Sequence, residues 1–314
     1  MYFSGMCVAA VGITRFRLYL LFLLSITAIW SCKYKNPSES KRVSFKKVAG
    51  INYIEVRRRF ANGLSFNKYG YELTPSWKLT FYSDDSAKVF SPDSGRFLGF
   101  HVTLDHDSLF YVARAWFRAK KITKDSLVCQ VMKVQSNVIY LDKSSVYITF
   151  YSDRYIRDVL HTVPEALTGK SKRDTLFIKK RSAEINANPD SAFAAREPLQ
   201  LLSNSTLVTV KKVSVQANLM NNYDNSDEYM FPEFNITINK AYQNFYYSFL
   251  VTVDYKGEPH FQNSLMKAFD DSSEKTMKSV LDGYIKTYLK VKPGSTFGIP
   301  HNSFAILNVK GIKN

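Results

Sequence analysis

Histidine and cysteine are the side chains of this chain that are best suited to proton transfer, metal binding or nucleophilic attack. The 314 residues include three cysteines and five histidines, which are His101, His106, His161, His260 and His301. No two histidines stand four residues apart as in a helical zinc site, and no phosphate-binding glycine loop or Gly-x-Ser-x-Gly turn occurs. A catalytic triad assembled from distant residues would leave no such pattern. The pattern therefore predicts a protein with no cofactor, no bound metal and no enzymatic activity.

Two of these residues have informative surroundings. His106 stands between Asp105 and Asp107 in a predicted turn, which is typical of a solvated histidine, and the alternative is a general base. Cys129 lies in an apolar, strand-like run at 127–132. That position is typical of a small buried hydrophobic residue, and the alternative is a nucleophile.

Cys32 follows a segment of the kind that directs export. Arg15 and Arg17 precede an apolar run at 18–30. This run of roughly 13 residues is too short to span a bilayer comfortably and suits the core of a signal peptide. A polar stretch at 33–42 follows Cys32.

The four residues at 29–32, Ile-Trp-Ser-Cys, resemble the bacterial lipobox. The resemblance implies that the signal peptide 1–31 is removed and that Cys32 becomes the acylated N-terminus, with palmitate among its acyl groups. Residues 32–42 would then be a polar tether to the membrane lipid that holds Cys32. The expected location is the cell envelope, on the outer membrane, facing the periplasm or the cell surface. The alternative is an uncleaved N-terminal anchor with an unmodified Cys32.

The chain is strongly basic. Lys and Arg number 43 against 27 Asp and Glu, which gives a formal net charge of +16 and favours anionic partners. Because the leader predicts export, we expect lipid phosphates, lipopolysaccharide or acidic glycans and no nucleic acid. The alternative is a solvated surface that is rich in lysine. The basic residues form short clusters at 57–59, 120–121, 170–173, 179–181 and 211–212.

The chain length suggests two domains, and the richness in aromatic residues favours strands. The sequence contains 20 Tyr and 23 Phe, whose planar side chains fit a pleated and half-buried surface. In the first predicted domain, 43–160, short apolar runs alternate with turn-forming clusters, which predicts an antiparallel β sandwich or barrel-like domain. Its strands are expected at 53–60, 77–82, 97–104, 109–117, 127–134 and 146–151.

Residues 161–205 have weaker periodicity and more charge, so we interpret them as a linker. Basic clusters bracket a short apolar run, Thr-Leu-Phe-Ile at 175–178. We interpret this short apolar run as a single docked strand.

The last region, 206–314, contains the most specific pattern in the chain. The predicted elements are, in order, a strand at 247–253, a turn at 254–257, a returning strand at 258–266, an amphipathic helix at 274–289 and a strand at 303–309. The order is β-β-α-β. We therefore expect an α+β protein, in which a small β-β-α-β domain follows the β-rich one.

Val-Thr-Val-Asp-Tyr-Lys-Gly at 251–257 ends a strand in a glycine turn, and Pro-Gly at 293–294 precedes Gly298 and Pro300. Together with Pro-Glu-Phe at 232–234, this pattern resembles the C-terminal domain of TonB-like proteins over residues 231–312. The resemblance implies a small sheet that is covered by a helix on one face. Such a sheet keeps an unpaired strand edge, which can pair with an extended segment of another envelope protein.

We therefore predict a non-enzymatic, membrane-anchored envelope lipoprotein that acts as a protein-interaction or binding module. One alternative is a lipocalin-like carrier, whose first domain would hold a small apolar ligand in an internal cavity. A second alternative comes from the tail at 298–309, which resembles the end of FKBP-type prolyl isomerases and implies isomerase activity.

Overall fold

The structure is a computed structural model that describes residues 42–92, 94–136, 138–142, 145–214, 226–266 and 271–313. The protein is mostly β, with 44% strand and 19% helix. The helical part of the expected α+β architecture is therefore small.

The first half of the chain contains eleven short strands within the described residues. They are β1 Asn52–Phe60, β2 Lys78–Phe81, β3 Ser86–Ser91, β4 Arg96–His101, β5 Thr103–Leu104, β6 Leu109–Val112, β7 Ala115–Ile122, β8 Ser126–Val131, β9 Lys133–Gln135, β10 Val138–Tyr140 and β11 Val146–Ser152. β9 and β10 form a separate hairpin, and the other nine strands form one sheet.

This nine-stranded sheet is antiparallel and nearly closed. Its order is β4-β3-β2-β1-β11-β8-β7-β6-β5. The two outermost strands, β4 and β5, are consecutive in the chain and only Val102 separates them. One continuous segment therefore pairs with β3 through its first part and with β6 through its second part. The predicted antiparallel, barrel-like first domain is confirmed.

Aromatic rings fill the interior of this barrel-like sheet. Phe45, which precedes β1, stacks on Phe81 with ring centroids 3.7 Å apart and meets the edge of Phe110 at 5.1 Å. Phe110 also stacks on Phe117, with centroids 5.3 Å apart. The segment before β1 therefore contributes to the core, in which aromatic rings pack against one another and against aliphatic side chains.

Residues 109–117 form a hairpin, whereas the sequence pattern predicts one continuous strand there. β6 ends at Val112, β7 begins at Ala115, and the strands pair with each other. Ala113 and Arg114 lie between them with φ values of 47° and 66°. Two successive left-handed residues make a two-residue turn whose twist matches that of the strands. The Asn-Gly signal that usually marks this turn is absent, and the apolar run therefore looked continuous.

The strand predicted at 175–178 is wrong, because these residues lie inside a helix. A π-helical turn Tyr155–Val159 precedes the linker, and the linker contains two helices, α1 Pro164–Leu167 and α2 Lys172–Asn186. At the start of α2, the Ser171 hydroxyl accepts a hydrogen bond from the Asp174 N–H, and the Asp174 carboxylate accepts one from the Ser171 N–H. This reciprocal capping box favours a helix, and Ile178 and Ile185 pack on the buried side of α2.

The remaining strands and helices follow α2. They are β12 Gln200–Ser203, β13 Val208–Lys212, α3 Asp227–Met230, β14 Glu233–Asn239, β15 Phe245–Val253, β16 Pro259–Ser264, α4 Asp271–Val280, a π-helical turn Leu281–Ile285, α5 Lys286–Tyr288, β17 Leu289–Lys292, β18 Ser295–Thr296, β19 Ile299–Pro300 and β20 Ser303–Ile312. The linker does contain a strand, β12, and it pairs with β17.

The C-terminal sheet has the order β13-β14-β20-β15-β16. β14 and β20 are parallel, and the other neighbours are antiparallel. The predicted succession of two strands, a helix and a strand occurs here as β15, β16, α4 and β20. The predicted apolar stripe of the helix lies in the core of this sheet, where Met277, Val280, Leu281 and Ile285 are buried. Leu289, the last predicted residue of the helix, is also buried but begins β17.

The turn predicted between β15 and β16 is present and depends on two residues. The Asp254 carboxylate accepts hydrogen bonds from the N–H groups of Lys256 and Glu258 at 2.9 and 2.8 Å. Gly257 has φ 96°, and a Cβ atom there would lie 2.5 Å from the Val291 carbonyl oxygen. Glycine is therefore required at this position.

The linker packs between the two sheets. The N–H of Ser65, in the loop after β1, donates to the buried Asp174 carboxylate at 2.8 Å. Arg196, which follows α2, forms an ion pair with Glu72 at 2.5 Å. These contacts hold α2 and the segment after it against the first sheet.

Candidate interaction site

The predicted lipid attachment residue, Cys32, lies outside the described residues, as do the predicted signal peptide and most of the tether. The described chain begins at Arg42, ten positions after Cys32. Of the helices that the structure describes, none has both the length and the apolar composition needed to cross a bilayer. Acylation of Cys32 therefore stays a prediction.

The histidines do not form a metal site in the described part of the chain, where no three His, Cys, Asp or Glu side chains are placed to hold an ion. His301 is completely buried and stacks on Phe193 with ring centroids 3.7 Å apart. Its Nε2 lies 3.0 Å from the Thr296 hydroxyl, and its Nδ1 lies 3.1 Å from the Asn302 carbonyl oxygen. Burial lowers the pKa of His301 to about 4, so this histidine is a neutral core residue at neutral pH.

His106 and Cys129 have different environments. The Nδ1 atom of His106 lies 2.7 Å from a carboxylate oxygen of Asp105, and this hydrogen bond raises the pKa of His106. The pair stands on a turn, where the side chains of His106 and Asp105 are 60% and 40% exposed. Cys129 is buried in the first sheet, and desolvation raises the pKa of its thiol. A buried, protonated thiol is a poor nucleophile.

Two of the basic clusters meet in a small cavity where the first sheet contacts the linker. The cavity has a volume of about 100 Å³, and Arg58, Lys170, Asp174 and Phe297 are among its lining residues. Pockets for ordinary organic ligands have volumes of about 300 to 1,000 Å³. The cavity is therefore too small for a carrier site, and the interior of the barrel-like sheet is filled by aromatic rings. The carrier alternative stays a prediction.

The C-terminal sheet presents a flat edge at β13. β13 pairs with β14 over five residues without a change of register. At the two ends of this pairing, backbone hydrogen bonds join Leu207 and Val213 to β14. Because bonded residues alternate along an antiparallel strand, the N–H and C=O groups of Val210 and Lys212 point away from β14. No strand of the described chain pairs with that side of β13.

The opposite edge, β16, is irregular. Its register with β15 shifts between Leu250 and Val251. Gln262 is therefore an extra residue of β16 that faces no residue of β15. Such a bulge bends a strand and interrupts its ladder, which is one of the ways in which proteins protect an edge. The flat β13 edge is therefore the better template for an added strand.

No family model and no curated protein matches this chain. The TonB-like interpretation therefore depends on the residue pattern at 231–312 and stays a prediction.

Sequence reasoning did not locate the edge strand itself. β13 lies just beyond the predicted linker, and its sequence Val-Thr-Val-Lys-Lys has the alternation and β-branched residues of a strand. The two lysines at its end also fit a basic surface cluster, and the sequence does not distinguish the two interpretations. Only the pairing with β14 places them on the rim of a sheet.

Proposed function

We propose that this protein is a membrane-anchored lipoprotein of the bacterial cell envelope that works by binding and has no catalytic activity. Acylated Cys32 would hold it on the membrane, and its TonB-like C-terminal sheet would bind an extended segment of another envelope protein. The observation that supports this most directly is the flat edge at β13.

An added strand would gain backbone hydrogen bonds at Val210 and Lys212, whose outward groups are spaced for pairing. The side chains of β13 also favour one kind of charge in the bound segment. Lys211 and Lys212 are both exposed, and successive side chains of a strand point to opposite faces. Positive charge therefore flanks the edge on both faces of the sheet. We infer that the bound segment is extended and acidic.

A pair of substitutions at Lys212 tests this proposal. Lys212→Pro removes the outward N–H and the charge, whereas Lys212→Gln removes the charge and keeps the N–H. Proline is tolerated on a sheet edge where the N–H does not bond within the sheet, so both variants should fold. Equal melting temperatures in both variants will confirm this.

The measurement is photo-crosslinking in intact cells from a photoreactive residue at position 209, whose side chain is exposed. We expect one defined adduct in the unsubstituted chain, a weaker one in Lys212→Gln and none in Lys212→Pro. An adduct of equal intensity in all three chains would contradict pairing through the β13 edge.

A further inference from the structure

A basic groove lies where the tether joins the first sheet. Its volume is about 430 Å³, and it is lined by Arg42 and Lys47 from the segment before β1 and by Lys120 and Lys121 from β7. The other lining residues are Val43, Ser44, Ser108, Ala119 and Ile122. The groove therefore contains four cationic side chains and no carboxylate.

A β-bulge explains how two adjacent lysines line the same groove. In a regular strand, successive side chains point to opposite faces. The register of β7 with β8 shifts between Ala119 and Lys121, which makes Lys120 an extra residue. A bulge re-aims the side chains next to it, and both lysines consequently contribute to one surface.

The four cations of the groove are not held in salt bridges by the described residues. Within the described ranges, Arg42, Lys47, Lys120 and Lys121 form no ion pair, whereas the neighbouring Lys46 lies 3.9 Å from Asp84. Two carboxylates lie close by: the carboxyl pKa of Asp105 is lowered mainly by its hydrogen bond with His106 and also by Arg42, and Asp84 accepts a hydrogen bond from the hydroxyl of Ser44 at 3.0 Å. A cluster of like charges without partners is costly unless an anion binds to it.

The position of the groove indicates which kind of anion would bind there. Arg42 is ten residues after Cys32, and ten residues of extended chain span at most about 35 Å. If Cys32 is acylated, the groove stays within that distance of the bilayer. Clustered lysine and arginine side chains next to a membrane attract anionic headgroups.

We propose that this groove is a docking surface for the phosphate groups of anionic lipids in the membrane that holds Cys32. The inference rests on the proposed lipid anchor and adds a second contact, which would orient the first domain on the bilayer. A lipid anchor and a basic surface together form the kind of two-part membrane attachment that is stable and still sensitive to salt.

The test measures lysine accessibility on vesicles. The full chain, purified from bacterial membranes, is reconstituted on vesicles of phosphatidylcholine alone or with phosphatidylglycerol. It is then labelled with an amine-reactive reagent and analysed by mass spectrometry. Lys47, Lys120 and Lys121 should react about threefold or more slowly on the anionic vesicles, because bound headgroups shield them. The adjacent exposed pair Lys179 and Lys180 is the control and should react equally on both.

Addition of 0.5 M NaCl should abolish the protection, since screening weakens the attraction. Equal labelling of Lys120 and Lys121 on both kinds of vesicle, in protein that sediments with both, would overturn the docking surface and leave the anchor intact. Protein that sediments with neither would contradict the anchor and, with it, this proposal. Equal protection by inorganic phosphate without vesicles would identify a free-phosphate site and would also overturn membrane docking.

Discussion

The guanidinium of Arg58 donates two hydrogen bonds to the buried carboxylate of Glu55, both of 2.7 Å. Residues three apart in a regular strand point to opposite faces. The register of β1 with β11 shifts between Glu55 and Arg57, and this bulge brings Glu55 and Arg58 together. The same carboxylate also accepts the N–H groups of Ser76 and Trp77, both at 2.9 Å. Glu55 therefore holds the chain before β2 against β1.

Replacing Glu55 should destabilise the first domain. Glu55→Gln leaves a neutral amide among four donors, and removing one partner of a buried pair costs about 3 to 5 kcal/mol. We expect a loss of about 3 kcal/mol in the free energy of unfolding, measured with urea. Arg58→Gln should cost at least as much, because it leaves the Glu55 carboxylate, whose side chain is 0% exposed, without its cation. A Glu55→Gln protein that is as stable as the parent would show that the pair is unimportant.

Acid should weaken the contact between the linker and the C-terminal region through His301. Burial lowers the pKa of His301 to about 4 in the folded chain, and an unfolded histidine has a pKa near 6.5. The unfolded state therefore binds the proton first. The stability from this group is complete above pH 6.5 and falls by about 3 kcal/mol as the pH decreases to 4.

Urea unfolding at several pH values between 7 and 4 measures this loss. In His301→Gln the corresponding part of the pH dependence should disappear, although the variant is less stable at neutral pH. Other acid-sensitive groups affect both proteins equally, so the difference between the two curves isolates His301. Parallel curves over this range would contradict a neutral, buried imidazole.

The His106 imidazole should titrate above its ordinary value. The hydrogen bond that the protonated ring donates to the Asp105 carboxylate stabilises the charged form and raises the pKa of His106. By NMR, the midpoint should lie above 6.5, and it should move down toward 6.5 in Asp105→Asn. The control Asp158→Asn changes another exposed, ion-paired carboxylate and should leave the midpoint unchanged. A midpoint that does not respond to Asp105→Asn would show that the pair is not formed in solution.

Local signals in the sequence were sufficient to predict the secondary structure of much of the C-terminal region. The turn at 254–257 depends on the Asp254 side chain and on Gly257, and the helix at 271–288 has a continuous apolar stripe. Both features act over a few residues, so they can be recognised without tertiary structure. The same is true of the alternating strands in the first domain.

The secondary-structure predictions that are wrong lie where local signals in the sequence conflict or are missing. Ser171 and Asp174 form a capping box that favours a helix, but the apolar run at 175–178 is also compatible with a strand. Ala113 and Arg114 adopt left-handed conformations without the residues that usually mark such a turn. Packing against the rest of the protein decides these cases, and it is not visible in a short window.

The basic groove could not be predicted from the sequence. Arg42 and Lys121 are far apart in the chain, and the packing of the segment before β1 on the first sheet brings them to one surface. The bulge at Lys120 depends on the register with β8, which no local pattern specifies. Sequence reasoning therefore identified a basic protein but could not say which of its cations lie together.

The central claim is that the mature chain begins at Cys32 and is held on a membrane by acyl groups. Intact-mass and peptide mass spectrometry of protein extracted from bacterial membranes tests it most directly. The account predicts an N-terminal peptide that starts at Cys32 and carries the added mass of fatty acyl chains, which is lost in Cys32→Ala together with membrane retention. An unmodified Cys32 inside a chain that still contains residues 1–31 would contradict the account.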